Sequence, residues 1–182
     1  PMGTVGEDFA PYAAWIDKLG ISRKSVVGVP GAMTAQAFIT TDLDGNQITF
    51  FHPGAMDASA QNSVNDAPKS RLAIVSPDGR AGMILHAEQL VSADIPFVFD
   101  PGQGLPMFSG PELVKFIKQA QWITVNAYEA ELMQEKTGMG VADIAGQVDA
   151  LIVTRGSEGS DIYADGKHVK IPVAPVSAAL DP

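Results

Sequence analysis

At 182 residues and 46% hydrophobic, the chain is long enough for one ordinary domain burying about 70% of its unfolded surface, which excludes a disordered protein. A net charge of −9 argues against nucleic acid or an anionic membrane as partner, because both need clustered Lys and Arg. Cysteine is absent, which removes disulfides and thiolate zinc sites, and His52, His86 and His168 lack ligand spacing.

The chain opens on PMGTVGEDF without an initiator Met, in or beside a strand. Asp8 is placed to cap a helix whose apolar residues Phe9, Tyr12, Ala13, Ile16 and Leu19 share a face, with Gly20 as its stop. Two β-rich runs, 34–42 and 47–51, flank Asp44-Gly45 and read as a hairpin. Residues 53–70 are rich in Ala, Ser, Asn, Asp and Pro and read as a loop or short helix.

From residue 71 the pattern becomes strand, helix, strand, helix. RLAIV precedes Met83, Ile84, Ala87, Leu90 and Val91 at helical spacing, and PFVF follows. Ser109-Gly-Pro-Glu112 is a capping box opening a helix with Leu113, Phe116, Ile117 and Ala120 on one face. WITV, a helix after Asn126, and LIV complete the series, and continuous apolar strands with helical crossovers predict a parallel sheet covered on both faces. The runs 160–164 and 167–171 turn at Asp165-Gly166 and predict an edge hairpin. The sequence stops at SAALDP, so the chain is expected to be cut at both ends. No apolar run approaches 18 residues and no signal-peptide pattern is present, so a cytoplasmic protein is expected.

Four polar residues follow the four parallel strands: Ser76, Asp100, Asn126 and Thr154. Open α/β sheets bind ligands at the carboxyl ends of their strands, where loops and helix N-termini present free N–H groups to anions. The same residue types are also ordinary N-caps. Asn126-x-x-Glu129 reads both ways: an Asn version of a capping box, or hard oxygen donors suited to orienting Mg²⁺ beside a polyphosphate. TRGSEG, with Thr154, Gly156 and Gly159, reads as a phosphate-approaching loop or as a turn into the next strand. DPGQGLP, residues 100–106, fixes a loop around Gln103, which suits a nucleobase or sugar hydroxyl, or is a plain turn. Phe50 and Phe51 at the hairpin's end read as core or as cover for a flat ligand.

Taken in order, these segments resemble the ribokinase-like (PfkB) family of carbohydrate and nucleoside kinases over essentially the whole chain. VGED at 5–8 resembles the family's V-G-x-D, and the hairpin within 34–52 resembles part of its β lid. FDPGQG resembles its D-P strand end, Asn126-x-x-Glu129 its N-x-x-E, and VTRGSEG its T-x-G-x-x-G loop. NAYE, TTDLDGNQITFFHPGAM and DPGQGLP are most similar to the bacterial adenosine kinase branch. The resemblance implies a three-layer αβα fold with a mostly parallel sheet and a small β lid, with residues 1–182 forming a partial kinase domain. It implies ATP-dependent phosphorylation of a hydroxymethyl group such as a ribose 5′-OH. Asn126 and Glu129 would organise Mg²⁺ and phosphate, Thr154, Gly156 and Gly159 would line the ATP side, and Asp100, Gln103 and Phe51 would serve the substrate.

In the family, the segment after a D-[PT] like Asp181-Pro182 supplies G-x-G-D, whose amides form the anion hole and whose Asp is the base. The sequence ends before such a segment, so no residue here is assigned as catalytic base and the chain alone is expected to be inactive. The expected substrate is adenosine, with a ribose- or fructose-type sugar kinase and a non-catalytic nucleotide- or sugar-binding module as alternatives. Oligomeric state is not readable from the sequence, and a homodimer through the exposed lid hairpin is the one assembly the residues suggest.

Overall fold

The computed structural model describes residues 1–43 and 47–175 of the chain, which fall into two compact units. The first comprises Pro1–Arg71 and Pro77–Ile95, and the second Leu72–Ser76 and Pro96 onward.

In the first unit, β1 (Met2–Val5) pairs in parallel with β2 (Ser25–Gly28), joined through α1 (Ala10–Lys18). Gly20, with φ of 69°, stops the helix as its position predicts. Asp8 does not cap it. A 3-10 turn at Glu7–Phe9 comes first and Phe9 takes the cap position. The Asp8 carboxylate instead accepts hydrogen bonds from the Thr34 N–H at 2.8 Å and the Thr34 hydroxyl at 2.7 Å. These N–H and O–H donors outcompete the helix terminus and hold the Asp8 carboxyl below its ordinary range. The apolar stripe of α1 is not buried: Tyr12, Trp15 and Leu19 are each more than half exposed.

The predicted hairpin is present as β3 (Gln36–Thr41) and β4 (Gln47–His52), with Phe38 opposite Phe50 and Ala37 opposite Phe51. Its turn residues Asp44 and Gly45 lie outside the described residues. Residues 53–70 form two 3-10 turns, Gly54–Gln61 and Val64–Asp66. The first is tied to β1 by the Thr4 hydroxyl, which donates to the Ala55 carbonyl at 2.6 Å. It also seats α2 (Arg80–Ser92), because Gly82 leaves room for Ser59, whose Oγ would lie 2.1 Å from any Cβ there. Met83, Ala87 and Leu90 are buried along α2 as their spacing predicts, while Val91 is half exposed and His86 takes its place on the buried face.

The second unit is a six-stranded sheet in the order β10-β9-β8-β7-β6-β5. Strands β5 (Ala73–Val75), β6 (Phe97–Phe99), β7 (Trp122–Asn126) and β8 (Ala150–Thr154) are parallel. β9 (Ser160–Ala164) and β10 (Lys167–Ile171) continue the sheet as the predicted edge hairpin. Asp165 at φ 51° and Gly166 at φ 69° give its turn the left-handed pair that matches strand twist.

Helices α3 (Gly110–Gln119) and α4 (Ala127–Thr137) pack on each other, and a short α5 (Val141–Ala145) precedes β8. Alternate strand residues Val75, Phe97, Phe99, Ile123, Val125, Leu151 and Val153 are buried. Phe99 stacks on Phe116 of α3 with centroids 4.3 Å apart, and Phe108 meets Phe116 edge-on at 5.1 Å. The opposite set is covered less: Val98, Trp122, Thr124 and Ile152 are half-buried and Ile74 is exposed. Within this unit the helices thus lie mainly against the first of these two faces. Strands that neighbour one another in chain order, joined by right-handed crossovers, put successive helices on one side.

Candidate functional site

The parallel register aligns the strand ends. β7 pairs with β8 through Asn126 opposite Thr154, and β6 pairs with β7 through Phe99 opposite Ile123. β5 pairs with β6 through Val75 opposite Phe99. Ser76, Asp100, Asn126 and Thr154 therefore stand at the carboxyl ends of four adjacent strands, on one rim of one sheet.

Asp100 leaves β6 with its N–H donated to the Val75 carbonyl at 2.9 Å. Burial pushes its carboxyl above the usual carboxylate range, against the opposing pull of the Gly102 N–H. The following residues Gly102–Met107 coil into a 3-10 turn, for which Gly102 supplies a φ of 47°. Leu105 is completely buried, and Lys136 at the end of α4 donates from Nζ to the carbonyls of Pro106 at 2.9 Å and Phe108 at 2.8 Å. The turn is pinned from both sides with Gln103 exposed at its start.

The capping reading of Asn126 and Glu129 is correct as structure. The Asn126 Oδ1 accepts the Glu129 N–H at 2.8 Å, and Glu129 Oε2 accepts the Asn126 N–H at 2.9 Å. A third bond runs from Asn126 Nδ2 to Glu129 Oε1 at 2.9 Å. The pair opens α4 with Glu129 buried and Asn126 exposed at the rim. Among the described residues, no three His, Cys, Asp or Glu side chains converge on a single metal position. Mg²⁺ rarely needs such a cage: it keeps several waters and takes one or two carboxylates beside substrate phosphates. The all-oxygen acceptors of Asn126 and Glu129, fixed by their own N–H donors, fit a hydrated Mg²⁺ on that basis.

After Thr154 the chain turns back through Arg155–Gly159. The Arg155 N–H donates to the Gly159 carbonyl at 2.8 Å, and the Glu158 N–H to the Arg155 carbonyl at 3.0 Å. Gly156 needs its glycine for a φ of 54°, and a Cβ there would meet only open space. Gly159 has a different reason: its φ is 90°, and a Cβ would lie 2.0 Å from the Ile171 carbonyl. Its own N–H is used within the turn, donated to the Gly156 carbonyl at 3.1 Å. Phe51 belongs to the first unit, where it is more than half exposed on β4.

Two anchors escaped the sequence reading. Lys136 was visible only as a basic residue in the last turn of a helix. Asp161 is a lone carboxylate in the run SDIYA, and its partners Arg155 and His168 lie six and seven residues away on neighbouring segments.

The sequence matches the family described as pfkB family carbohydrate kinase over residues 2–182. It is 49% identical to the nucleoside kinase of Burkholderia thailandensis, whose structure in complex with inosine superposes with a TM-score of 0.95 over 100% of this chain and 60% of that one. The nucleoside kinase of Methanocaldococcus jannaschii, described as an archaeal member of the ribokinase family, superposes with a TM-score of 0.89 at 30% identity over 100% of this chain. By sequence that relative is 31% identical over 183 residues, so the chain spans about 60% of the length of the relatives it matches. The ribokinase-like α/β fold expected from the motifs is the fold observed, and the chain belongs to the pfkB family of carbohydrate kinases.

Proposed function

We propose that the gene product containing this chain transfers the γ-phosphoryl group of ATP to the 5′-hydroxymethyl of a purine nucleoside, with adenosine as the first candidate. The observation that carries this reading is the alignment of Asp100, Asn126 and Thr154 on one rim, beside a glycine turn whose Gly156 faces open space. Its likeness to the Burkholderia enzyme described in complex with inosine supports a nucleoside over a simple sugar.

Kinases need positioning and charge stabilisation more than covalent chemistry. The acceptor oxygen attacks the γ-phosphorus, ADP leaves with the bridging oxygen, and the hydroxyl proton passes to a base that no residue of this chain is assigned to supply. Asn126 and Glu129 would hold a hydrated Mg²⁺, which would supply charge stabilisation for the transferred group, and Thr154 and Gly156 would line the phosphates. Asp100 and Gln103 serve the acceptor. Phe51 and Gly159 keep the assignments of substrate and ATP-loop residue on the family resemblance, although Gly159 is already explained by its turn. The compartment proposed is the cytoplasm, and the assembly proposed is a homodimer through the hairpin carrying exposed Phe38 and Phe50, to be read from the sedimentation mass of the wild type against Phe50→Lys.

The test is a phosphorylation screen of the full gene product with adenosine, inosine, ribose and fructose 6-phosphate in ATP and Mg²⁺. The expected result is a kcat/KM at least about tenfold higher for a nucleoside, the gain that about 1.4 kcal/mol of base contacts would give. Preference for either sugar, or no transfer to any acceptor, overturns the reading. Residues 1–182 alone are expected to transfer nothing to adenosine in the same assay.

A further inference from the structure

One buried carboxylate is left unused by the reaction described above. Asp161 is 2% exposed, in the middle of β9, where it pairs with Val153. Strand alternation directs it to the helix-covered side with Val153, while Thr154 at the rim pairs with Ser160. Both of its oxygens are taken: Oδ2 by the Arg155 Nε–H, and Oδ1 by His168 Nε2 at 2.7 Å. Tyr163 closes the group, stacked on the His168 ring at 4.5 Å and 7°. A charge sunk this far from water persists only when its partners are held in place.

Arg155 is also the residue that closes the turn after Thr154. Its N–H reaches the Gly159 carbonyl, its own carbonyl takes the Glu158 N–H, and its side chain runs down to Asp161. The path of residues 156–158 is thus set by where Arg155 sits. Its guanidinium is neutralised from below by a buried partner, so it acts as a tether and not as a phosphate clamp.

We propose that Asp161 is a positioning residue for nucleotide binding: through Arg155 it holds the Thr154–Gly159 turn in the one shape that presents Thr154 and Gly156 to a nucleoside polyphosphate. This inference rests on the kinase reading for the identity of the anion. It adds that phosphate affinity depends on a carboxylate that touches no ligand, and that the Arg in T-R-G-S-E-G is a structural choice that Lys does not replace, since Lys lacks the planar fork.

The experiment titrates ADP with Mg²⁺ into the full gene product by calorimetry and follows amide exchange of residues 156–159, in wild type, Asp161→Asn, Arg155→Lys, Arg155→Ala and the double variant Arg155→Ala/Asp161→Asn. Asp161→Asn is expected to weaken ADP about five- to thirtyfold and to speed exchange in the turn, while nucleoside affinity stays within about twofold. Arg155→Lys, which leaves Asp161 an ion partner and so spares the fold, is expected to shift both readouts in the same direction. The double variant is expected to bind ADP no worse than Arg155→Ala alone, because the two side chains act as one unit.

Unchanged or tighter ADP binding in folded Asp161→Asn overturns the proposal, tighter binding because it would make Arg155 itself the phosphate ligand. An equal loss of ADP and nucleoside overturns it as general loosening. Wild type that binds ADP yet phosphorylates no alcohol would sink the kinase reading alone, with the tether still judged by the same titration. Wild type that does not bind ADP overturns both.

Discussion

Two aspartates of the second unit respond to pH in opposite senses, because one is short of donors and the other has them in plenty. Burial raises the Asp100 carboxyl above its ordinary value, so the folded state binds its proton more tightly than the unfolded chain does. Its contribution to stability is full below the ordinary carboxylate range and is lost as pH rises through the raised value. The hydrogen bonds from His168 and then Arg155 lower Asp161, so its contribution is present above the ordinary range and lost as pH falls through the depressed value. Denaturant midpoints of the full gene product measured against pH should therefore separate them: Asp100→Asn removes a loss of stability on the rising side, and Asp161→Asn removes the acid limb. At Asn126 the cap and the proposed metal role also come apart by substitution. Asn126→Ala should cost about 1 kcal/mol in urea unfolding, as a lost N-cap does. Asn126→Asp should keep most of that stability while disturbing kcat, because it replaces the Nδ2 donor to Glu129 with a second negative charge. The cap was legible from spacing alone, since both partners lie within one helical turn. The tie between Asp8 and Thr34 was not, because 26 residues separate them and only the fold brings them together.

Among the elements, α3 is joined to the sheet and to the loop that enters it by aromatic contacts. Phe116 lies against Phe99 on one side and Phe108 on the other. Phe116→Ala should cost about 3–5 kcal/mol, measured as a shift of the unfolding midpoint at constant m. Leu113, Phe116 and Ile117 could be read as its buried stripe because their spacing matches the helix repeat and Ser109 marks the start. The β9–β10 hairpin was equally readable, since Asp-Gly demands the left-handed turn that Asp165 and Gly166 adopt. α1 was half readable: its periodicity gave the helix, yet periodicity says nothing about whether the stripe finds a partner, and here Tyr12 and Trp15 do not bury. The rim was legible as a list of polar strand ends. Its registration was not, because pairing between β6, β7 and β8 is a property of hydrogen bonds and not of any single segment.

For the whole molecule, ordered motifs identified the family where each motif alone was weak. V-G-E-D, D-P-G-Q-G, N-A-Y-E and T-R-G-S-E-G are short patterns with structural explanations of their own, and Gly159 and Glu129 are fully accounted for as a close approach and a cap. The proposed kinase reading draws on the fact that three of the four begin at the carboxyl ends of neighbouring strands of one sheet. If the full gene product binds ATP with Mg²⁺, ligand at 100 times its Kd should stabilise it by about 2.7 kcal/mol, seen as a rise in Tm that Glu129→Gln diminishes. No helix among the described residues is long and apolar enough to cross a membrane.

The two tryptophans happen to be divided between the two units. Trp15 rides on the open stripe of α1, 56% exposed, and Trp122 begins β7, half shielded between Val98 and Ala150. The molecule thus carries a native fluorophore in each unit, one in a wet environment and one in a drier one. Iodide should quench the emission of Trp15 before that of Trp122, and Trp15→Phe should leave a bluer spectrum. Loss of the remaining signal on heating would then report melting of the sheet that bears the rim, with no label added.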